Sequence, residues 1–394
     1  GGERLTNDHK TRCNNVRGVA MGSTNPIFRA NRLNLGVMAF NCSNGSTVTT
    51  APEAWPMTWS DNVALAQIAD RAGFEALLPV GRWKGYGGPS NFNNKTFESF
   101  TWAAGIGALT KQIAVLSTIH APLVHPVMAA KQAATIDHIT QGRFVLNLVC
   151  GWFRNEFEMF GVEWREHDVR YEYAAEWLNV CRRLWFEKTP FEFQGTYFQG
   201  KELWSEPKPI QGADLPVMNA GSSDIGQRFS AQNCDMNFVM LRQRDEANDQ
   251  EQIAKLKRLS NAAGRESRCW IHGYAVVRST QEEAEAALNR YVIEYGDEEA
   301  VSNMLSIFGM ESGTLAPDVM DAFKFHFKAG HGGYPLVGTP KKVVDDMVRL
   351  SEMGVDGILL SWLDYLGECK QWVEEVLPLM EAAGLRSPAS SHHS

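Results

Sequence analysis

Short apolar runs alternate with helical stretches along most of this chain, and that alternation is what most restricts its fold. Residues 60–72, for example, carry Val63, Leu65 and Ile68 at helical spacing between two such runs. The runs at 76–80 and 357–362 are apolar on both faces, as buried parallel strands are. Eight strands alternating with helices predict a single closed (β/α)8 barrel rather than an open doubly wound sheet. The eight candidate strands are 33–40, 76–80, 113–118, 143–149, 216–220, 236–240, 270–277 and 357–362.

The polar ends of the chain set the predicted domain boundaries. We expect residues 1–26 to form a disordered N-terminal segment, with Met21 as a candidate natural start, and the first 25 residues lack the apolar core of a signal peptide. The barrel is predicted to span 27–385, with a solvated tail at 386–394. Three stretches are longer than ordinary connectors, so we expect parts of them to cover the mouth of the barrel or to join subunits of a homodimer or homotetramer. They are 150–169, 186–215 and 296–338.

Composition excludes several classes of partner. The net charge is −8 and no basic stripe stands out, which argues against binding to nucleic acid or to an anionic membrane. Seven scattered cysteines form no CxxC pair, so we expect a reducing, cytoplasmic setting. His120 and His125 have neither the H-x-H nor the H-x-x-x-H spacing of zinc ligands, and no metal site is predicted.

Polar residues follow several candidate strands at the end where barrel enzymes build their sites. The clearest is a Gly-Ser-Ser turn that opens a helix, because backbone N–H groups, hydroxyls and the helix dipole all suit a phosphate. A plain serine N-cap is the alternative, and no Walker A lysine follows. His120 is either a polar group facing the substrate or a hydrogen-bonded, half-buried histidine. The strand-end groups are Gly81-Arg82-Trp83, Thr118-Ile119-His120, Asn147 to Trp152, and Gly221-Ser222-Ser223.

Several segments resemble the luciferase-like flavin monooxygenases, in order and over roughly residues 30–383. The resemblance is strongest to the branch of pyrimidine and dimethyl sulfone monooxygenases, with riboflavin lyase-like enzymes included. It implies an enzyme that uses reduced FMN and O2 to oxygenate or oxidatively cleave a small organic substrate. The segments are FEALLPVGRWKGYGG (74–88), AAKQAATIDHITQGRFVLNLVCGWFRNEFEMFG (129–161), HDVRYEYAAEW (167–177), MNAGSSDIG (218–226) and VGTPKKVVDDM (337–347).

The resemblance also implies where FMN binds. Gly81 and Arg82 would lie along the isoalloxazine, and Asn147 would reach its reactive edge. Arg170 and Tyr171 would lie near the phosphate, which the Gly-Ser-Ser turn would hold. The implied cofactor residues are Gly81, Arg82, Asn147, Glu156, Arg170, Tyr171, Gly221, Ser222 and Ser223.

Oxygen chemistry is implied for four of the strand-end residues. In the pyrimidine monooxygenase type, the positions of Leu78, Arg82, Thr118 and Asn147 cradle O2. Arg82 departs from that type, which has lysine there, and agrees with the sulfone type. This mixture leaves open which atom of the flavin carries the oxygen.

Substrate and partners are the least determined. Trp83, Trp152 and His120 form an aromatic-rich mouth that favours a planar N-heteroaromatic substrate, pyrimidine-like or riboflavin. A small sulfone is the alternative substrate. A deazaflavin-dependent reductase and a non-catalytic flavin-binding protein are alternative functions on the same barrel. No second G-x-G-x-x-G fingerprint is visible, so reduced FMN is expected from a separate flavin reductase.

Overall fold

The barrel closes through parallel strands. The computed structural model describes residues 23–241, 245–309 and 316–389. Within these ranges, eight strands form a closed ring in which each pairs in parallel with the strand on either side, and one of the eight also pairs with a further parallel strand, which confirms the predicted (β/α)8 barrel. The strands are β1 Asn34–Met38, β2 Ala76–Leu78, β3 Ala114–His120, β4 Phe144–Val149, β5 Phe191–Gln194, β6 Gln199–Leu203, β7 Val217–Asn219, β8 Met236–Phe238, β9 Arg268–Val277, β10 Tyr334–Gly338 and β11 Gly357–Ser361.

Three strands were not predicted. β10 pairs with the second half of β9, where Val337 lies opposite Val276, because the three-residue strand β8 has already left that edge. Its Tyr-Pro-Leu-Val run lies in a stretch interpreted as a long insertion. β5 and β6 form an antiparallel hairpin with few buried residues, and so lack the apolar signal of a barrel strand.

The helices begin where capping residues predict. Thr339 accepts a hydrogen bond from the amide of Lys342, and Pro340 occupies the first position of the following helix, as expected. No helix in the described ranges is long and apolar enough to cross a membrane. The helices are α1 Trp59–Arg71, α2 Ser99–Ala108, α3 Pro126–Ile139, α4 Arg154–Phe160, α5 His167–Phe186, α6 Asp224–Asn233, α7 Glu246–Ala262, α8 Gln281–Asn289, α9 Glu298–Ile307, α10 Pro317–Gly330, α11 Pro340–Glu352, α12 Tyr365–Gln371 and α13 Leu377–Ala382.

The described parts of the long insertion, 296–309 and 316–338, pack over the barrel, one of the two arrangements expected for the insertion. Met304, Leu305 and Phe327 are buried in an apolar cluster with Tyr86 and Phe153, which belong to segments that leave the barrel strands. The carboxylate of Asp297 also accepts a hydrogen bond from the amide of Ser90, at 2.8 Å. The insertion is therefore fixed to the mouth of the barrel, and assembly into oligomers stays a prediction.

At the end of the barrel away from the mouth, Glu75 contacts residues from near the beginning and near the end of the described chain. Its carboxylate accepts the amide of Leu35 at 2.7 Å and two hydrogen bonds from Arg386, at 2.8 and 2.9 Å. Both charged side chains are almost completely buried. Arg386 was predicted to begin a solvated tail, but its contacts make it part of the barrel. The predicted N-terminal disorder likewise stops short of Asn25, which is buried and caps a short helix at Pro26–Phe28.

Replacement of Arg386 tests this contact. Arg386→Met leaves the Glu75 carboxylate buried without its main partner, and we expect a loss of ~3 kcal/mol in the free energy of unfolding. Lys341→Met is the control, because it breaks an exposed 2.8 Å pair with Asp345 and is expected to cost at most ~0.5 kcal/mol. Urea unfolding followed by tryptophan fluorescence measures both. Equal small losses would show that Arg386 acts as a surface residue.

Candidate active site

Two adjoining cavities open at the carboxyl ends of the barrel strands, where the sequence placed the site. The larger cavity has a volume of about 430 Å³ and the smaller about 180 Å³. Because they share six lining residues, we treat them as two compartments of one site. The shared residues are Met38, Val149, Trp152, Ala220, Phe238 and His331.

A hydrogen-bond chain joins two strand ends in the smaller cavity. Parallel pairing of β3 with β4 places Thr118 beside Asn147. The Asn147 amide nitrogen donates to Thr118 Oγ1 at 3.0 Å, and Thr118 Oγ1 donates to the carbonyl oxygen of Pro79 at 2.6 Å. Asn147 Oδ1 is buried and has no hydrogen-bond partner in the described part of the chain. A direct hydrogen bond from Thr118 to oxygen, as the resemblance implies, would require breaking the bond to Pro79.

A buried ion pair anchors Arg82 in the wall of the same cavity. Arg82 Nη1 donates to Glu156 Oε1 at 2.9 Å, and the same oxygen accepts the amide of Trp83 at 2.9 Å. Arg82 Nε is buried without a partner among the described residues. Leu78 and Gly81 also line this cavity, as expected. Glu156 was expected to line the flavin, but it lines neither compartment, because its carboxylate is engaged by Arg82 and the loop that follows.

Aromatic rings form one wall of the site. Tyr86 and Trp152 are near-parallel, with ring centroids 6.3 Å apart and an angle of 12° between planes. The Arg82 guanidinium lies 4.9 Å from the Trp152 ring centroid, and Phe308, from the insertion, stacks on Trp152 at 4.8 Å. The Tyr86 hydroxyl is buried without a partner in the described ranges, and burial raises its pKa well above the ordinary value. It therefore keeps its proton and can donate a hydrogen bond.

One end of the larger cavity collects the predicted phosphate-binding residues. Ser223 caps α6, and its hydroxyl oxygen accepts the amide of Gly226 at 3.1 Å and is also hydrogen-bonded to the Tyr171 side chain. Arg170 lines the cavity and stacks on the Trp164 ring at 4.3 Å. Among the described residues, one of its five N–H donors is committed, to the carbonyl oxygen of Arg165 at 2.9 Å. Tyr171 and Ser222 line the same end.

Gly221 has a different role at this end of the larger cavity from the one predicted. Its backbone amide, expected to bind phosphate, donates instead to Asn219 Oδ1 at 2.7 Å. A Cβ at Gly221 would lie 2.7 Å from the backbone of Gly226, so only glycine lets this turn pack against the first turn of α6. Gly221 thus shapes the turn that carries Ser222 and Ser223.

Three of the histidines that line the site are neutral. Burial and the nearby Arg82 charge lower the pKa of His120, in the smaller cavity, to about 3. In the larger cavity, burial lowers the pKa of His272 to about 3 and that of His331 to about 4. His272 also hydrogen-bonds Ser361 Oγ at 2.7 Å. None of the three carries a proton to donate as a cation near neutral pH.

Sequence reasoning missed His272 and His331. His272 lies in the middle of the long strand β9, whereas site residues were predicted only at the ends of strands. His331 has a left-handed backbone at φ 50° and precedes Gly332-Gly333 within the insertion. A histidine before two glycines in a long insertion was the available signal.

Trp83 lies outside both compartments, although it was predicted to contact the substrate. Its side chain is 42% exposed and packs edge-on against Phe160 at 5.0 Å. It lines only a side cavity of about 30 Å³. His120 and Trp152, the other two predicted substrate residues, do line the site.

Comparison with known proteins agrees with this geometry. A family model described as luciferase-like monooxygenase matches residues 33–357. The pyrimidine monooxygenase RutA of Allorhizobium ampelinum is 31% identical over 88% of this chain and 96% of its own length. An FMNH2-dependent dimethylsulfone monooxygenase of Pseudomonas putida is 30% identical over 86% of this chain and 93% of its own.

The fold has close relatives among solved structures. The riboflavin lyase RcaE, crystallised with modified FMN and riboflavin, superposes with a TM-score of 0.81 at 21% identity, covering 90% of this chain and 93% of that one. At that identity the likeness concerns the fold, whereas the family match and the relatives at 30–31% identity concern most of the sequence. The chain therefore belongs to the luciferase-like monooxygenase family and is a flavin-dependent monooxygenase.

Proposed function

We propose that this chain is the oxygenase of a two-component system, which receives reduced FMN from a separate flavin reductase and uses O2 to oxygenate or cleave a planar N-heteroaromatic substrate. The observation that carries this proposal is that the site has two compartments of different chemistry. One end of the larger compartment has the groups that a phosphate prefers. The smaller compartment has buried polar atoms without a partner among the described residues, close to near-parallel aromatic rings.

The larger cavity suits the phosphate end of FMN. Arg170, Ser222 and Ser223 combine a cation, two hydroxyls and the N-terminus of α6, the set that a phosphate dianion prefers. The close packing of Gly221 on Gly226 leaves this turn without a side chain that would fill the space. When bound, reduced FMN supplies the two electrons that allow one oxygen atom to enter the substrate.

The smaller cavity suits the reacting partners. Leu78 contributes apolar surface that a diatomic gas tolerates, and Asn147 and Arg82 contribute unsatisfied polar atoms. The positive charge of Arg82 is held in place by Glu156 and would stabilise negative charge that develops on an oxygen bound in this cavity.

The ring wall supports this substrate class. Tyr86 and Trp152, which line the smaller cavity, have planes within 12° of each other, so a flat heterocycle can lie against them. The Tyr86 hydroxyl and Arg82 Nε can donate to carbonyl or ring-nitrogen acceptors on such a ring. A small sulfone also offers acceptors but has no flat face to stack, so the rings favour the heteroaromatic substrate.

Turnover under labelled oxygen tests the proposal. The chain is supplied with FMN, NADH, a flavin reductase and ¹⁸O2, and is offered uracil, riboflavin and dimethyl sulfone separately. We expect one ¹⁸O atom in a heterocycle product, measured by mass spectrometry. Labelled product from the sulfone alone would favour the sulfone alternative. Reductase-dependent oxygen uptake with no labelled product from any of the three would contradict this substrate class.

Arg170 is expected to recognise the phosphate of FMN. Arg170→Met removes a charge-assisted hydrogen bond worth about 1.5–3 kcal/mol, so FMN affinity should fall roughly 10- to 100-fold. Riboflavin lacks the phosphate, and its weaker binding at the cofactor site should barely change. Fluorescence titration with both flavins measures this. Arg154→Met, which replaces an exposed arginine, is the control. Equal affinity of the unaltered protein for the two flavins would contradict the phosphate assignment.

Tyr86 is expected to bind the substrate and not the cofactor. Tyr86→Phe removes one neutral hydrogen bond of about 1 kcal/mol, so substrate affinity should fall roughly fivefold. FMN affinity and unfolding midpoint should stay unchanged, because the hydroxyl has no partner in the described protein. Tyr197→Phe is the control, since its hydroxyl bonds Glu172 on the exposed surface. Calorimetric titration of substrate into the FMN-loaded protein gives the affinities, and an unchanged substrate affinity would remove Tyr86 from the substrate site.

A further inference from the structure

We propose that Thr118 is a positioning residue that holds the Asn147 side chain with its carbonyl oxygen toward the flavin, and that loss of the Thr118 hydroxyl weakens the preference of the site for reduced over oxidised FMN. This inference rests on the proposed function, because it takes FMN as the ligand of the site. It assigns to Thr118 a role other than direct contact with oxygen.

The direction of the first hydrogen bond is fixed by chemistry. A backbone carbonyl oxygen can only accept, and Thr118 Oγ1 lies 2.6 Å from that of Pro79. The single hydroxyl proton of Thr118 is therefore donated to Pro79. Ser99 Oγ accepts the backbone amide of Thr118 at 2.7 Å and holds the residue in place.

The direction of the second bond follows from the first. With its proton committed, Thr118 Oγ1 can only accept from Asn147. The group of Asn147 that lies 3.0 Å away must be its NH2, since a carbonyl oxygen there would face a second oxygen lone pair. Asn147 Oδ1 consequently lies on the side of the amide away from Thr118, in a residue that lines the smaller cavity.

Asn147 Oδ1 therefore requires a donor from the ligand. It is buried and receives no hydrogen bond within the described ranges, which is unfavourable until a donor arrives. Reduced flavin carries an N–H at N5, whereas N5 of oxidised flavin presents a lone pair. A fixed carbonyl oxygen attracts the first and repels the second. An amide free to turn could offer its NH2 to the oxidised ring and would lose this discrimination.

The test compares the affinities for the two redox states of FMN and does not depend on turnover. Oxidised FMN is titrated in air and reduced FMN anaerobically, and the midpoint potential of the bound flavin gives an independent measure. We expect the unaltered protein to favour reduced FMN. Thr118→Val should lower the ratio of the two affinities roughly tenfold, which lowers the two-electron midpoint potential by about 30 mV. Thr118→Ser keeps the hydroxyl and should retain the ratio within about twofold.

A matched control separates positioning from general destabilisation. Thr135→Val makes the same change at an exposed helical site, where the hydroxyl donates to the Lys131 carbonyl oxygen at 2.8 Å, and it should leave the ratio unchanged. Unfolding midpoints of all variants exclude loss of the fold.

The outcomes separate this inference from the proposed function. FMN binding with equal affinity for both redox states, or an unaltered ratio in Thr118→Val, would overturn the positioning role and leave the oxygenase proposal standing. Failure to bind FMN in either state would overturn both.

Discussion

Closure of the parallel sheet is the constraint from which the site follows. The backbone groups of each barrel strand are hydrogen-bonded to the strands on both sides, which fixes the strand inside the closed sheet. Polar side chains are therefore tolerated mainly where the strands end. All carboxyl ends meet at one face in a parallel barrel. Asn147 and Thr118 are neighbours for this reason alone, although 29 positions separate them in sequence. The position of the candidate active site is thus set by closure of the sheet rather than by any single motif.

The Arg82–Glu156 pair gives the mouth its rigidity. Two ionised groups with side-chain exposures of 5% and 2% are costly to bury, and the cost is offset by good geometry and by additional donors to the carboxylate. The pair joins the loop after β2 to α4, two segments that otherwise lie on the protein surface. Stacked rings enclose the guanidinium, so its charge is held in a low-dielectric setting where it acts strongly on nearby negative charge.

Sequence reasoning predicted the barrel and many of the residues that line the two compartments, and the differences between prediction and structure have physical causes. The eight strands were predictable because buried parallel strands are uniformly apolar, whereas β10 contains Pro335 and lies within an insertion. Leu78, Arg82 and Asn147 could be placed by the strand-end rule. The orientation of the Asn147 amide could not, because it depends on the Pro79 carbonyl, a backbone group that no side-chain pattern reveals. Glu156, predicted to line the flavin, and Trp83, predicted to contact the substrate, line neither compartment, because a motif indicates proximity along the chain and not direction in space.

The residues that line the larger cavity come from two parts of the chain, the barrel with its surrounding helices and the insertion that covers the mouth. The proposed phosphate end is built from residues that follow barrel strands or begin helices around it, such as Arg170 and Ser223. Phe308 and His331 come from the insertion and line the same cavity. Much of the insertion also packs against the barrel, since Met304 and Phe327 are buried and β10 pairs with β9. We therefore expect substrate choice to diversify at the few insertion residues that line the cavity, where a change of side chain alters the site without breaking the packing that holds the segment in place.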